Sequence, residues 1–180
     1  MTKLNHKNII KLYETIHTDK YVFLILELCE TDLYNYINNN EINEEDTKFI
    51  IKQIIEAIKY IMDNNIVHRD LKPLNICLKK TEPYFIDFGF SKKIIENNKH
   101  ISEKKINSII GSYSFISNNV KNNIEPTRRD DIESLLYILL FMFVDKNKEN
   151  NFVGFDIKLE SINNMVIKLY KFNLESFKKI

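Results

Sequence analysis

Three residues that lie close together in the middle of the sequence carry side-chain oxygens, and these side-chain types suit phosphoryl transfer. Asp70 lies within the run 67–75, which ends in Asn75, and Asp87 follows twelve residues later at the start of the triplet Asp-Phe-Gly. One carboxylate can orient a substrate hydroxyl, while an amide oxygen and a second carboxylate are ligands that Mg²⁺ accepts. Because positioning and charge neutralisation supply nearly all of the catalysis of phosphoryl transfer, these residues predict that reaction.

The composition indicates one domain with a sizeable core. The chain has 180 residues, 44% of them hydrophobic, and its net charge of +1 predicts no strong attraction to nucleic acid or to a membrane. Cys29 and Cys77 are isolated, without metal-ligand spacing, which favours a reducing intracellular compartment, cytoplasmic or nuclear. Met1 is followed by polar and basic residues, unlike a signal segment. The longest apolar run, 135–144, is too short to cross a bilayer.

Apolar periodicity predicts the elements that position these side chains. Two antiparallel strands joined at 17–20 come first, and the second, 21–28, is continuously apolar and is predicted to be buried. A short helix with Thr31 as its N-cap precedes a long amphipathic helix over 43–64, capped by Asn43. The apolar residues of the long helix that recur at helical spacing are Phe49, Ile50, Ile54, Ile58, Ile61 and Met62. The remaining predicted elements are short strands at 66–67, 75–78 and 84–86, a long polar segment at 92–121, a central helix at 127–144 and an amphipathic helix at 158–170.

The run His-Arg-Asp-Leu-Lys-Pro-Leu-Asn at 68–75, followed by Asp-Phe-Gly at 87–89, resembles the catalytic loop and metal-binding triplet of eukaryotic-type protein kinases. Lys72 is typical of the serine/threonine class. The stretches Gly-Ser-Tyr-Ser-Phe-Ile-Ser-Asn at 111–118 and Arg-Arg-Asp-Asp-Ile-Glu-Ser-Leu at 128–135 are similar to the casein-kinase-one group, which includes the vaccinia-related kinases. That group usually has an Arg where Ser114 stands.

The resemblance implies an α+β, protein-kinase-like fold, mostly the helical large lobe with two strands of the small lobe and the hinge. It implies a single partial kinase domain over 1–180. In this division, 1–28 is the remnant of the small lobe and hinge, 29–144 is the core of the large lobe, and 145–180 holds shortened C-terminal helices.

The same resemblance implies roles at the reacting centre. Asp70 would accept or orient the proton of the attacking hydroxyl, and Lys72 would neutralise charge on the γ-phosphate of ATP. Asn75 and Asp87 would bind Mg²⁺ through oxygen. Asp131 would hydrogen-bond the backbone of the catalytic loop at 68–69, although an acid in the first turn of a helix is also explained by the helix dipole.

A nucleotide pocket is implied by the position of the hinge. Leu26 would be the gatekeeper, the backbone at Glu27 and Cys29 would bind adenine, and Cys77 would lie on the apolar floor below it. For each cysteine taken alone, a small buried core residue is the better explanation. Asp32 could reach the ribose hydroxyls, or it could be an acid at the start of a helix.

A protein substrate with acidic or already phosphorylated serine or threonine sites is one hypothesis for specificity. It depends on basic residues in and beside the activation segment, which in a lysine-rich chain are also explained as solvated surface. These residues are Lys92, Lys93, Lys99, Lys104, Lys105, Arg128 and Arg129.

Three parts of the kinase pattern cannot be assigned: the Gly-rich loop, the Lys of the third strand and the Glu of the following helix. We therefore expect a chain shortened in the small lobe, with weak or absent activity and an exposed sheet edge that invites a partner. A non-catalytic, kinase-like binding module is the alternative function. Small-molecule phosphotransferases with a related loop are disfavoured by Lys72, Pro73 and the stretch 128–135.

Overall fold

The computed structural model describes residues 4–96, 99–100 and 104–143, and it divides into two compact units. Unit 1 comprises Met1–Tyr60 and Pro73–Asp87, and unit 2 comprises Ile61–Lys72 and Phe88–Ile180. The helix predicted over 158–170 lies outside the described residues. Within the described ranges, no helix has the length and apolar character needed to cross a membrane.

Unit 1 begins with an antiparallel pair, β1 (Leu12–His17) and β2 (Val22–Leu26), which confirms the predicted pairing. Thr18 closes the turn between them, because its N–H donates to the carbonyl of Tyr21 at 2.8 Å. The predicted burial of the second strand is wrong, since every residue of β1 and β2 is exposed. An apolar strand is buried only where another layer covers it, and no described element of unit 1 covers this two-stranded sheet.

The rest of unit 1 is built on a three-stranded sheet in the order β3-β5-β6. Its elements are β3 (Thr31–Asp32), α1 (Leu33–Asn39), a 3₁₀ turn (Pro73–Asn75), β5 (Ile76–Lys79) and β6 (Glu82–Phe85). The N-cap of α1 is Asp32 and not Thr31, because the N–H of Asn35 donates to Asp32 Oδ1 at 2.8 Å. Thr31 is instead held in β3, where it pairs with Leu78.

Helix α2 (Glu44–Asp63) is the long helix that the sequence predicts, and it runs through the boundary of the two units. Asn43 caps it as predicted, with its Oδ1 accepting the N–H of Asp46 at 2.8 Å. The chain leaves the helix at Asn65, whose φ of 58° stops further helical bonding. The buried aliphatic side chains of α2 are Ile50, Ile51, Ile54, Ala57, Ile58, Ile61 and Met62.

Phe49 shares the helical spacing of the apolar residues of α2, but its side chain is 43% exposed. The buried stripe is centred on Ile50, Ile54 and Ile58, and Phe49 lies at its margin.

Among its described residues, unit 2 contains the end of α2, then short strands and two further helices. The strands are β4 (Ile66–Val67), β7 (Lys92–Lys93), β8 (Ile95–Glu96) and β9 (Lys99–His100), with β4 antiparallel to β7 and β8 antiparallel to β9. The helices are α3 (Asn118–Lys121) and α4 (Arg128–Phe143). The segment predicted as a long polar loop therefore contains short regular elements. The buried apolar side chains of α4 are Ile132, Leu135, Ile138, Leu139 and Met142.

Candidate active site

The turn that carries Asp70 is fixed by one buried carboxylate in the first turn of α4. Asp131, 3% exposed, accepts the N–H of His68 at 2.6 Å through Oδ2 and the N–H of Arg69 at 3.0 Å through Oδ1. This confirms the contact expected of Asp131. Arg69 has a φ of 70°, a conformation that a side chain with a Cβ rarely adopts, so the turn needs such a restraint.

Burial raises the pKa of Asp131 to about 7, although the two N–H donors oppose the rise. The side chain of His68 is also fully buried in this turn, and its ring lies 4.8 Å from the ring of Phe88. The backbone before Asp70 is therefore held both by hydrogen bonds and by packing within unit 2.

The carboxylate of Asp70 is surrounded by donors. Lys72 Nζ lies 2.8 Å from Asp70 Oδ2, and the N–H and Oγ of Ser112 each donate to Asp70 Oδ1 at 2.9 Å. Lys72 also donates to Ser112 Oγ at 2.8 Å, which closes a three-residue network. Burial raises the pKa of Asp70, but the bonds from Lys72 and Ser112 outweigh it, so the pKa lies below its ordinary value. Asp70 is therefore ionised at neutral pH.

Gly111 allows Ser112 to reach Asp70. Its φ is 96°, and a Cβ at this position would lie 2.6 Å from the carbonyl oxygen of Arg69 and 2.9 Å from the side chain of Ile116. Only glycine tolerates both the conformation and the close approach. The close approach of Gly111 to the backbone of Arg69 holds the segment that contains Ser112 against the loop that contains Asp70.

We expect Gly111→Ala to reduce the free energy of unfolding by roughly 2 kcal/mol, because a positive φ becomes strained and backbone must move. Urea denaturation of the purified chain measures this loss. Ser114→Ala is the matched control, since Ser114 is exposed in the same segment. Equal stabilities of the two variants would contradict the role assigned to Gly111.

The two predicted metal ligands lie at one end of the β5–β6 hairpin in unit 1. Asn75 directly precedes β5, and its carbonyl accepts the N–H of Ile86 at 3.0 Å, next to Asp87. Asp87 is exposed and has a φ of 57°, a strained value of the kind found at functional sites. An amide and a carboxylate oxygen fit a hard cation such as Mg²⁺. In the described ranges, no group of three or more His, Cys, Asp or Glu side chains forms an alternative metal site.

The predicted hinge residues follow β2 in unit 1. Leu26, the last residue of β2, is paired with Leu12 and is 41% exposed. The N–H of Glu27 donates to the carbonyl of Lys11 at 2.9 Å, and its carboxylate forms an ion pair with Lys79. The hydrogen bond from Lys79 lowers the pKa of Glu27. The backbone at Glu27 is thus tied to the start of the small sheet.

The structure brings Cys29, Cys77 and Asp32 together in unit 1. Cys77 pairs with Asp32 across the neighbouring strands β3 and β5, and both cysteines are partly exposed, so neither is a fully buried core residue. Burial, with the neighbouring Cys29 and Asp32, raises the pKa of Cys77 to about 11, so its thiol is neutral at physiological pH. Asp32 serves as a helix cap, and its oxygens accept the N–H and Nδ2 of Asn35. Its contact with a ribose stays a prediction.

Two residues of this region were missed by sequence reasoning. Ser112 lies in a stretch that was used only for its resemblance, and the adjacent Gly111 was the available signal of a close approach. Glu125 accepts a hydrogen bond from Lys92 at 2.7 Å, and no local pattern marks it. Arg128, one of the basic residues also explained as solvated surface, is buried. Its Nη2 donates a hydrogen bond to the carbonyl oxygen of Met62 at 3.1 Å.

Comparison with known proteins identifies the family of the chain. The model of the protein kinase domain matches residues 1–177. The chain is 33% identical over 159 residues to "Calcium-dependent protein kinase 5" of Plasmodium berghei, covering 84% of this chain and 27% of that protein. It is 36% identical over 146 residues to "Sperm motility kinase 2A" of Mus musculus, covering 79% and 28% respectively.

A third relative, "Probable serine/threonine-protein kinase fhkA" of Dictyostelium discoideum, is 33% identical over 152 residues, covering 74% of this chain and 25% of that protein. The chain thus spans about a quarter of the length of these curated relatives. The family model matches nearly the whole chain, and the chain belongs to the protein kinase domain family.

Proposed function

We propose that this chain transfers the γ-phosphoryl group of ATP to serine or threonine hydroxyls of proteins. The observation that carries the proposal is the network around Asp70. An ionised carboxylate, itself bonded to Lys72 and Ser112, stands on a turn whose backbone is anchored by Asp131. Phosphoryl transfer depends on such positioning more than on covalent chemistry.

In the proposed reaction, the substrate oxygen forms a bond to the γ-phosphorus while the bond from that phosphorus to the β,γ-bridging oxygen breaks and ADP leaves. Asp70 orients the hydroxyl and receives its proton. Lys72, already 2.8 Å from Asp70, neutralises negative charge on the transferred group. Ser112 keeps Asp70 and Lys72 in one orientation through its hydroxyl.

Asn75 and Asp87 would hold Mg²⁺ in this proposal, and the ion would supply charge neutralisation to the phosphates. Their place at one end of the β5–β6 hairpin supports the assignment. For the nucleotide base, the proposal assigns the gatekeeper position to Leu26, the backbone contacts to Glu27 and Cys29, and the floor to Cys77. The neutral thiol of Cys77 suits an apolar floor. Asp32 is assigned to the ribose.

The casein-kinase-one-like grouping and a preference for acidic or phosphorylated sites are finer proposals. The stretches 111–118 and 128–135 support the grouping. Two of the basic residues named for this preference are less suited to bind a substrate, because Lys92 forms an ion pair with Glu125 and Arg128 is buried. Lys93 and Lys105 are exposed and remain suited to attract acidic substrates.

Phosphoamino-acid analysis tests the proposed function. Purified chain is incubated with Mg²⁺, γ-labelled ATP and matched peptides whose single acceptor is Ser, Thr or Tyr. Label on serine or threonine is expected. Label on tyrosine alone, or no label from folded protein, would contradict the proposal. The absence of transfer would favour the non-catalytic binding module, for which the exposed β1–β2 sheet is the supporting observation.

A further inference from the structure

Asp130 lies in the first turn of α4, directly before Asp131, and its buried carboxylate bonds to two separate parts of unit 2. Its Oδ2 accepts the N–H of Thr127 at 2.7 Å and the hydroxyl of Thr127 at 2.9 Å. Because Thr127 directly precedes α4, these bonds close the first turn of the helix. Its Oδ1 instead accepts the hydroxyl of Ser117 at 2.6 Å, across 13 positions of the chain. The bonds to Thr127 are explained by helix capping alone, whereas the bond to Ser117 is not.

Ser117 is 0% exposed, so water does not compete for its hydroxyl. The hydroxyl donates to Asp130 and accepts the N–H of Val120 at 3.2 Å, which caps α3. Asn119 Nδ2 adds a second, longer contact to the same oxygen of Asp130, at 3.4 Å. The cation of Arg129 lies near the other oxygen, with its Nε 3.7 Å from Oδ2. Oδ1 of Asp130 therefore faces the segment that begins at Ser117, and Oδ2 faces the start of α4.

A tight turn connects Ser117 to Ser112, a hydrogen-bond partner of Asp70. The N–H of Ile116 donates to the carbonyl of Ser112 at 3.1 Å, so the two ends of the turn lie close together. At one end, the N–H and the hydroxyl of Ser112 each donate to Asp70 at 2.9 Å. At the other end, Ser117 donates to Asp130. A displacement of Ser117 therefore moves donors that surround the carboxylate of Asp70.

We propose that Asp130 is a positioning residue of the candidate site. Through Ser117, it holds the turn that keeps Ser112 bonded to Asp70. Asp131, the next residue, holds the backbone that precedes Asp70. The first turn of α4 thus fixes both segments that meet at the Asp70 carboxylate. The consequence for the rate rests on the proposed function, whereas the consequence for the contact between Ser112 and Asp70 does not.

Two matched variants separate this role from helix capping, because each removes one hydroxyl from the same carboxylate. Ser117→Ala removes the bond to Oδ1, and Thr127→Ala removes one bond to Oδ2. Amide hydrogen exchange followed by NMR measures the protection of the Ser112 N–H, with the amide of Ile54 in α2 as the reference for global opening. Relative to this reference, we expect Ser117→Ala to lower the protection of Ser112 by about tenfold or more, and Thr127→Ala to leave it within about twofold of wild type. No reduction in Ser117→Ala, or an equal reduction in both variants, would overturn the proposal.

The kinetic test compares the same variants in phosphoryl transfer to a serine peptide. Ser117→Ala should lower kcat by about tenfold with KM for ATP unchanged, because Asp70 loses the alignment of its donors. Thr127→Ala should keep the kcat of wild type. Ser117→Thr retains the hydroxyl and should keep most of the rate. An unchanged kcat in folded Ser117→Ala would refute the positioning role.

A double variant asks whether Ser117 acts through Asp130. In the Asp130→Ala background, Ser117→Ala should cause little further loss of protection or rate, because both substitutions break the same contact. Fully additive losses would contradict the proposed connection. If wild type transfers no phosphate, the proposed function fails, and the exchange experiment still decides whether Asp130 holds Ser112 in place.

Discussion

Asp70→Asn is expected to lower the rate of phosphoryl transfer by roughly 10²- to 10⁴-fold while the fold is kept. The amide has the size of the carboxylate and can still accept the N–H of Ser112, which now bonds Oδ1 at 2.9 Å. It cannot accept the hydroxyl proton, and its NH₂ group no longer attracts Lys72. The rate is measured with saturating ATP and a serine peptide, and Tm is measured on the same preparation.

Asp19→Asn is the matched control for this experiment, because Asp19 is an exposed residue of the turn between β1 and β2. Its rate should equal that of wild type. A rate for Asp70→Asn within twofold of wild type would remove Asp70 from the reaction, whatever its position.

Asp131→Ala is expected to reduce the free energy of unfolding by about 2–4 kcal/mol and to lower transfer as well. The substitution leaves the buried N–H of His68 and the N–H of Arg69 without their acceptor. Arg69 then loses the restraint on its φ of 70°, and the orientation of Asp70 becomes less defined. Urea denaturation at pH 5 gives the stability, with Asp19→Ala as the control. A loss no larger than that of the control would contradict the anchoring role.

The pH dependence of the free energy of unfolding gives an independent test of the raised pKa of Asp131. Its folded pKa of about 7 is raised above its ordinary value of 3.8, so the folded state holds the proton more tightly than the unfolded state. The associated stabilisation is complete below pH 3.8 and is lost as pH rises through 7, with a slope approaching ~1.4 kcal/mol per pH unit between these values. The stability difference between wild type and Asp131→Ala should therefore be larger at pH 5 than at pH 7.5. A difference that is constant with pH would contradict the raised pKa.

Local sequence signals predicted the long helix and its cap. The Asn43 cap and the apolar side chains of α2 belong to one continuous stretch of the chain, so both can be recognised without knowledge of distant contacts. The Asp131 anchor is non-local, and it was predicted only because the family resemblance supplies the connection between 68–69 and 131. The N-cap of α1 was placed one residue early. Pairing of Thr31 with Leu78 decides that position, and it depends on a strand far away in the sequence.

The contacts that could not be predicted all depend on tertiary structure. Ser112 meets Asp70 across 42 positions, and Glu125 meets Lys92 across 33, so no periodicity or spacing rule connects them. The prediction that β2 is buried was wrong because burial also depends on tertiary structure. A continuously apolar strand indicates that it can be covered, but the covering layer has to be present.

The most direct test of the central claim measures phosphate transfer to one serine peptide by mass spectrometry. Wild type, Asp131→Asn and Asp70→Asn are assayed in parallel. The claim is that an anchored, ionised Asp70 carries out phosphoryl transfer to a hydroxyl. It predicts the most product with wild type, less with Asp131→Asn and the least with Asp70→Asn, while all three proteins remain folded at the assay temperature. Equal product from wild type and Asp70→Asn, or none from folded wild type, would contradict it.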